Sequence, residues 1–532
     1  MKLMRSSIYL STLTALFLFF YFASLHAQVI PESVADESIY SFLDELALDG
    51  IIDFNQAVKP YSRKMISELL EKSEGQIEEM TPRQQKELVF YMTSYGMLSA
   101  TGRMKLVYNP ATAQYRDSLF NVTVSPLFGL SYGSGRAITW KNGAKIYGNY
   151  GSWGFFAALQ DNHQDPLLGE PQYLTRERGG HIKNGTDFSE MTGGASYMWK
   201  WGDASFLKDS PVWGSGYAGT NILSGRAPSF MQMRLHLKPA KWLEMTWLYG
   251  WLNSMVVDST KSYWVTNAYG TDYREVYHTK YIAANLFTFS PFHLLKLSVG
   301  NSVIWSDPRL SPYYLMPFFF YKSVDHGINS GIDNSNSQMF MDISSHNIKH
   351  LHLYGTLFID ELSTKRFTTP DYNFFSWKGG FRAGNFSFLP NIWLTAECTF
   401  TYPLTFQHKV PVITFENQGY NMGHWMRDNS RSWYFALDCK PLRGMNIRLW
   451  HERSERGPDY QSIGGPRVGL PYLETIEWKN ITTGLEVSYL ITGGVQARVS
   501  LIKSDIEGEE AWTAPNLYGL HTTFSGGLVW GF

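Results

Sequence analysis

The strongest constraint on this chain is a two-residue alternation of apolar and polar side chains in its C-terminal half. The alternation is clearest in segments 393–402, 445–453 and 495–503. Because successive side chains of a β-strand point to opposite faces, each segment presents an apolar row opposite a polar, partly charged row. Such rows suit strands with lipid on one face and water on the other. A soluble β-sandwich gives the same alternation, so periodicity alone leaves both architectures open.

The connections between the predicted strands separate these two architectures. Tight turns are predicted at 239–241, 290–293, 389–391, 440–444 and 490–494, and they alternate with long connections at 161–186, 254–276, 305–335, 362–373, 403–431, 454–474 and 505–515. Outer-membrane barrels have short periplasmic turns and long extracellular loops, whereas a sandwich has no reason to alternate in this way. Residues 101–532 are therefore predicted to form an all-β, antiparallel, transmembrane outer-membrane β-barrel of about eighteen strands, with about sixteen as the alternative.

Residues 1–27 have the features of a secretory signal peptide. Lys2 and Arg5 precede an apolar stretch at 8–22, and small residues lead to a predicted cleavage after Ala27. The apolar stretch is too short for a typical spanning helix. At the other end, Phe532 follows alternating apolar residues, which resembles the signal read by barrel-assembly machinery. We therefore expect an outer-membrane location, with the lipid bilayer, lipopolysaccharide and the barrel-assembly machinery as partners.

The composition agrees with this class and argues against nucleic acid as a partner. The 532 residues carry a formal net charge of -1, whereas nucleic-acid-binding domains are basic. Charged residues make up 17% and aromatic residues 16%. A mean hydropathy of -0.23 is too low for a bundle of membrane helices. A barrel reconciles these values, because half of each strand faces water or the lumen.

Residues 28–100 are predicted to form a small helical domain in the periplasm. Ile39 and Phe42 begin an apolar stripe at helical spacing, and Gly50 can end that helix. Ser62 is placed to cap a second helix, and the sequence TPRQ from Thr81 has the pattern of a capping box that opens a third. A domain of about 70 residues is marginal alone, so we expect it to pack against the barrel, as a candidate plug of its lumen.

Strand parity places six charged side chains on lumen-facing rows. Both signs occur on neighbouring strands, so one interpretation is a network of cross-strand ion pairs that stiffens the wall. The alternative is a pathway for a ligand or an ion through a barrel wide enough for water. The six residues are Glu397, Asp438, Arg448, Glu452, Glu486 and Arg498.

Two small groups of residues are candidates for covalent or metal chemistry. Cys398 and Cys439 lie on outward rows of strands joined by one long loop. They either face lipid as small side chains or, if the hairpin closes near 403 and 432, lie opposite each other at disulfide distance. His350, His352 and Tyr354 share an inward face, but without an identifiable third ligand we expect polar lining, no metal and no cofactor. The common hydrolase, nucleotide-binding and redox motifs are missing from the sequence, and we expect no enzymatic activity.

The predicted outer loops are rich in aromatic residues beside acidic ones. Sugars present apolar C–H faces that stack on rings, and hydroxyls that bind carboxylates. These loops therefore suit a polysaccharide, although an interfacial aromatic girdle and ordinary loop packing explain the same residues. The candidate polysaccharide-binding residues are Tyr263, Trp264, Tyr269, Asp272, Trp305, Asp307, Trp425, Asp428, Glu510 and Trp512.

Several segments, by their order and spacing, resemble the Wzi-like capsule-assembly outer-membrane proteins of the Bacteroidetes type. These segments are SFLDEL at 41–46, KPYSR at 59–63, SGRAPSF at 224–230, YYLMP at 313–317, LYG at 353–355 and IDE at 359–361. Segment 421–428 keeps Gly423 and Asp428 but is bulkier between them than the glycine-richer loop of the family, which leaves the identity of the glycan open. The resemblance implies a barrel of about eighteen strands, a periplasmic helical bundle that occludes it, and no enzymatic activity.

The resemblance also implies a function, namely lectin-like binding and retention of capsular or exopolysaccharide at the cell surface. Two other functions stay open at this point. One is a plugged channel or uptake porin. The other is a barrel subunit of a larger outer-membrane protein complex that docks through the helical domain.

Overall fold

The computed structural model describes residues 29–35, 37–95, 105–107, 112–117, 119–134, 138–268, 270–307, 311–328, 332, 334–362, 373–460 and 470–531. Eighteen antiparallel strands close into a barrel, as predicted. The last strand pairs with the first, from Ser525 opposite Gly133 to Trp530 opposite Phe128. The predicted signal peptide, Tyr269 and Phe532 lie outside the described residues.

The barrel strands are numbered here in chain order. They are β1 Phe120–Gly133, β2 Ile138–Tyr150, β3 Trp153–Asp165, β4 Asp187–Trp199, β5 Gly202–Asp209, β6 Phe230–Ala240, β7 Leu243–Val257, β8 Tyr277–Phe292, β9 Leu295–Trp305, β10 Ser335–Ile348, β11 Leu351–Glu361, β12 Phe374–Phe386, β13 Leu389–Thr401, β14 Ser430–Cys439, β15 Met445–Arg456, β16 Trp478–Thr492, β17 Val495–Gly508 and β18 Gly519–Trp530. Short strands Lys105–Val107, Thr112–Arg116 and His181–Asn184 extend the sheet beside β1 and β4.

Short turns and long connections alternate around the barrel and define its two ends. At the short-turn end, β6–β7, β8–β9, β10–β11, β12–β13 and β16–β17 are joined by tight hairpins, and β14–β15 by a slightly longer turn. The turn predicted at 389–391 lies slightly earlier in the structure, because Phe386 pairs with Leu389. Residues 389–391 are therefore the first residues of β13. At the long-loop end, 210–229 is a long connection that the sequence patterns did not reveal.

The exposed fractions of the two rows distinguish a membrane barrel from a soluble sandwich. Leu394, Leu437 and Leu449 on the outward row are 46%, 43% and 49% exposed, whereas Thr395 and Asp438 on the inward row are almost completely buried. A sandwich would bury the apolar row instead. The apolar row therefore faces outward, as a bilayer requires.

Among the described residues, three α-helices precede the barrel: α1 Glu37–Leu48, α2 Arg63–Glu74 and α3 Pro82–Tyr95. The second and third begin where predicted, because Ser62 Oγ accepts a hydrogen bond from Met65 N at 3.1 Å and Thr81 and Gln84 form a reciprocal capping box. A fourth helix, α4 Tyr321–Ile328, lies between β9 and β10. Among the residues described above, no helix is long and apolar enough to cross a bilayer.

Two long connections fold back into the barrel. Segments 210–229 and 402–429 contribute Trp213, Ile222, Phe406 and Phe415 to an apolar core that packs against the inner faces of β7 to β11. A small sheet of Val58–Lys59, Val212–Trp213 and Leu223–Ser224 joins the first of these connections to the helical region. The lumen is therefore occupied by chain from both ends.

The two cysteines are not opposite each other. The β13–β14 hairpin closes with Thr401 opposite Ser430, so Cys398 pairs with Trp433, and Cys439 pairs with Ile392. Six residues of strand, roughly 20 Å, separate the two positions. A disulfide between them is excluded by this register, and both thiols are free.

Candidate functional site

The helical bundle is bound to the short-turn end through its polar side chains. Arg83 Nε donates to Asn391 Oδ1 at 2.7 Å, and Gly444 N donates to Glu87 Oε1 at 3.1 Å. Asp49 accepts from Asn385 Nδ2 at 2.7 Å. These contacts come from the strand ends beside the β12–β13 turn and from the β14–β15 turn, so this end of the barrel fixes the position of the bundle.

Glu45 is at the centre of this attachment. Its carboxylate is buried and bonds both Lys440 and Arg83, with 2.5 Å to Arg83 Nη2. Burial alone would raise the pKa of Glu45, but Arg83 and Lys440 outweigh it and hold the pKa below its ordinary value. Glu45 is thus a buried anion with two cationic partners, one from the bundle and one from the barrel.

The six predicted lumen charges all lie on inward rows, and most are paired. Asp438 accepts from Arg448 Nε at 2.7 Å and from Arg382 Nη1 at 2.9 Å. Glu397 lies 2.7 Å from Lys378 Nζ, while Glu452 binds Arg176 Nη2 at 2.6 Å. The two exceptions are Glu486, which accepts from Trp450 Nε1, and Arg498, which donates to Gln496.

A luminal chamber of about 600 Å³ lies between the bundle and the folded-in connections. This volume is within the range of small-molecule sites, about 300–1,000 Å³. Its wall combines α1 and residues 54–61, the inner faces of β2, β11, β12, β15, β17 and β18, and the connections 166–186, 210–229 and 402–429. Three acidic residues line it, Glu37, Asp44 and Glu177, against eight basic ones, Lys59, Lys141, Arg176, Arg178, Arg226, Arg382, Arg448 and Arg498.

Four side chains that line the chamber have buried donor atoms without a hydrogen bond to a described residue: Arg178, Arg226, Arg382 and Trp425. Arg178 and Arg382 each form an ion pair through another nitrogen, with Glu190 and Asp438, whereas Arg226 and Trp425 do not. Arg226 Nε and Nη1 and Trp425 Nε1 are buried without a hydrogen bond, although Arg226 Nη2 binds the Tyr173 carbonyl at 2.7 Å. Burial, with Arg427 nearby, lowers the pKa of Arg226 to about 10, so it is still charged at neutral pH. A buried donor without an acceptor costs about 1–3 kcal/mol. Arg226 and Trp425 are therefore well suited to bind an acceptor that enters the chamber.

The structure brings some of the candidate loop residues together and separates others. Trp425 lines the chamber, and Arg176 lies over its ring at 5.7 Å. Tyr263, Trp264 and Asp272 belong to an exposed hairpin of strands Tyr263–Asn267 and Gly270–Arg274, in the β7–β8 connection. The Trp264 and Tyr273 rings lie 5.0 Å apart on it. Trp425 also packs in one apolar cluster with Trp478, Ile506 and the candidate Trp512. The structure thus brings Trp425 and Trp512 together, and the exposed hairpin is a separate aromatic site.

The remaining candidates support the structure of their own surroundings. Trp305 is the last residue of β9 and is buried on its outward face. Asp428 is buried and accepts from the Phe406 and Gln407 amides, and burial raises its pKa to about 6. Trp512 lies under the Arg456 guanidinium at 3.8 Å. Glu510 is exposed beside it, and Asp307 is partly exposed in the β9–β10 connection.

The histidines are arranged differently from the sequence pattern. His350 lies in the β10–β11 turn and bonds Asp49 at 2.9 Å. Inside the barrel, Asp44, His346 and His352 bring potential ligand atoms within 4.8 Å of one another. The two rings stack at 4.0 Å with planes 11° apart. Both ring nitrogens of His352 are hydrogen-bonded, Nδ1 with Tyr217 OH and Nε2 with Ser344 Oγ, at 2.9 Å each, so His352 belongs to a polar network.

Sequence reasoning missed Arg176, Arg226, Lys378 and Arg382. The first two lie in long connections without any periodic pattern, and only the folding of those connections brings them into the barrel. Lys378 and Arg382 are on the inward row of β12, where alternation with the apolar Trp377 and Phe381 was a usable signal.

Comparison with solved structures shows which known fold this barrel has. No family model matches the sequence, and no curated protein is significantly similar to it. The structure is similar to Wzi of Escherichia coli, described as an outer-membrane protein involved in group 1 capsule assembly and a carbohydrate-binding β-barrel. The TM-score is 0.59 at 15% identity, covering 95% of this chain and 99% of Wzi.

The structure is less similar to OccK3 of Pseudomonas aeruginosa, with a TM-score of 0.42 at 9% identity, covering 77% of this chain and 95% of OccK3. It is similarly distant from OccD3 of the same organism, with a TM-score of 0.43 at 10% identity, covering 82% of this chain and 96% of OccD3. These two are too distant to bear on function. The chain therefore has the fold of Wzi, as its sequence resemblance predicts.

Proposed function

We propose that this protein is a non-enzymatic, lectin-like outer-membrane barrel that binds and retains capsular or exopolysaccharide at the cell surface. The observation that carries the proposal is the luminal chamber, where Arg226 and Trp425 present buried donors without acceptors. Sugar hydroxyls and carboxylates are such acceptors, and the Trp425 and Tyr217 rings provide apolar faces for sugar C–H groups. The Wzi structure, itself a carbohydrate-binding barrel, supports the same reading.

The proposal includes an orientation. The short-turn end and the helical bundle face the periplasm, and the long connections face outward. The exposed hairpin with Trp264 and Tyr273 is then a second, peripheral contact for the same polymer. Weak contacts repeated along a polymer give useful avidity.

The charge of the chamber bears on the kind of glycan. Among its basic residues, Lys59, Lys141, Arg226 and Arg498 form no ion pair with a described residue. An acidic sugar that enters would neutralise this excess without breaking an existing pair. Binding should therefore weaken as the salt concentration rises.

The test is calorimetric titration of the purified barrel with polysaccharide extracted from the surface of its source cells. Trp425→Phe keeps an aromatic ring but removes the indole N–H, so the loss of one hydrogen bond should weaken binding by roughly 2–10-fold. Trp242→Phe is the matched control, since Trp242 is exposed on the outside of the short-turn end. Equal affinities for wild type and Trp425→Phe would contradict this site.

One observation favours a channel as the second candidate function. Arg498 is exposed inside the barrel and Lys141 is partly exposed, so the described residues do not fill the lumen beside β2 and β17. Planar-bilayer recording separates the two functions. Large, steady, anion-selective conductance would favour a channel, whereas a sealed barrel that still binds glycan would favour retention.

A further inference from the structure

The connection between β9 and β10 covers part of the outer wall of the barrel. Trp247, Tyr249, Val303 and Trp305 point outward, yet each is 7% exposed or less. They pack with Tyr314 and Tyr321 from segment 311–328. This segment therefore leaves the long-loop end and folds back along the lipid-facing surface.

Amide side chains on the wall hold the segment in place. Asn285 and Asn301 are cross-strand neighbours on the outward face, and Asn301 Nδ2 donates to Asn285 Oδ1 at 2.7 Å. Asn285 Nδ2 donates to the carbonyls of Pro317 at 3.0 Å and Phe319 at 2.9 Å. Tyr321 N donates to Asn301 Oδ1 at 2.8 Å. Two amides on a lipid-facing wall would be costly if left uncovered, so wall and segment require each other.

The segment reaches well below the rim of its strands. Phe318 lies against Phe287, with ring centroids 6.5 Å apart, and Phe287 pairs with Val299, six residues before the end of β9. At about 3.3 Å per residue and a strand tilt of about 40°, this contact is roughly 15 Å below the strand end. That depth is inside the hydrocarbon layer rather than in the loop region.

The outer face of the segment is apolar. Met316, Phe318, Phe319 and Phe320 are 46%, 63%, 40% and 49% exposed, and segment 311–321 contains no charged residue. The first charged side chain, Lys322, donates to the carbonyl of Asp360 close to the long-loop end of β11. The exposed row continues the lipid-facing wall of Met341 and Ile343, which are 51% and 46% exposed.

We propose that segment 311–321 is embedded in the membrane and that its exposed aromatic row binds lipid acyl chains of the leaflet at the long-loop end. Irregular backbone is tolerated in hydrocarbon only where its polar groups are satisfied by protein. Here the carbonyls of Pro317 and Phe319 bind Asn285, and that of Met316 accepts from Tyr321 OH. This inference does not depend on polysaccharide binding.

The test is the collision accessibility of spin labels in the full-length protein in phospholipid vesicles. Labels are placed one at a time at Phe318→Cys and Phe320→Cys, in a background in which Cys398 and Cys439 are serine. Met341→Cys on the wall is the lipid-exposed control, and Tyr263→Cys on the exposed hairpin is the water-exposed control. Heat-dependent gel mobility verifies that each variant is folded.

We expect oxygen to collide with the labels at 318 and 320 several-fold more often than a water-soluble nickel chelate does, as at 341, with the reverse ratio at 263. Nickel accessibility equal to that at 263 would overturn the proposal, because the segment would lie in water. Low accessibility to both reagents would also overturn it, because protein, such as a second copy of the chain, would then cover the row.

Discussion

Replacing Lys440 by methionine should loosen the helical bundle from the barrel while leaving the strands intact. Lys440 is the residue of the β14–β15 turn that reaches into the bundle, where it bonds Glu45 and donates to Ser41 Oγ at 2.8 Å. Methionine has a similar length and flexibility but no charge. The substitution therefore removes one buried charged contact between the bundle and the barrel and preserves most of the packing.

The magnitude follows from burial. Glu45 is 1% exposed and Lys440 is 6% exposed. Removing one partner of a buried ion pair costs about 3–5 kcal/mol, because the remaining charge is left in a poorly solvated place. Arg83 still binds Glu45 in the variant, so we expect the lower end, about 3 kcal/mol. This corresponds to a roughly 100-fold increase in the population of the undocked bundle.

Hydrogen exchange of the α1 amides, followed by mass spectrometry in detergent micelles, measures that population. Lys349→Met is the matched control, because Lys349 also joins a short turn to a bundle carboxylate, Glu79, but at 3.8 Å and with both side chains more than half exposed. Its effect should be no more than about fivefold. Exchange in Lys440→Met within about threefold of wild type, or faster exchange in the barrel strands as well, would refute the reasoning.

Three further predictions test other parts of the account. Ionised Glu45 stabilises docking above its unfolded pKa of about 4.3, and this contribution is lost as the pH falls through the lower folded pKa. The difference in α1 hydrogen exchange between wild type and Glu45→Gln should therefore shrink on going from pH 6 to pH 3. A constant difference would contradict a stabilising role of the ionised Glu45 carboxylate. Thr81→Ala removes half of the capping box and should destabilise the start of α3 by about 1 kcal/mol, seen as about fivefold faster exchange in its first turns only. Gel mobility should be the same with and without reductant, because the register keeps Cys398 away from Cys439; an oxidation-dependent shift that disappears in Cys398→Ser would show that the hairpin register is wrong.

The sequence was sufficient for features that local patterns encode. Outward and inward rows follow from strand alternation, so Leu394 and Asp438 were assigned to opposite faces without knowing their neighbours. Helix starts were similarly predictable, because Ser62 and Thr81 bind amides within their own helices.

Features that depend on where a long connection goes were not predictable. Arg226 reaches the chamber only because segment 210–229 folds into the barrel, and no periodic sequence pattern predicts that this segment folds inward. Trp305 was expected in a loop, but it ends β9 and is covered by a segment that returns along the outer wall. The choice between two lipid-facing cysteines and a disulfide could not be made from the sequence for a similar reason, since it required the closing pair of one hairpin to be known within a few residues.

The most direct test of polysaccharide retention is to measure surface-bound and shed polysaccharide separately in a strain that lacks this gene. Complementation with wild type, Trp425→Phe and Trp242→Phe links the result to the chamber. The account predicts normal total polysaccharide, a large loss from the surface to the medium, full rescue by wild type and by Trp242→Phe, and weaker rescue by Trp425→Phe. Unchanged surface polysaccharide in the deletion strain would contradict retention as the function of this barrel.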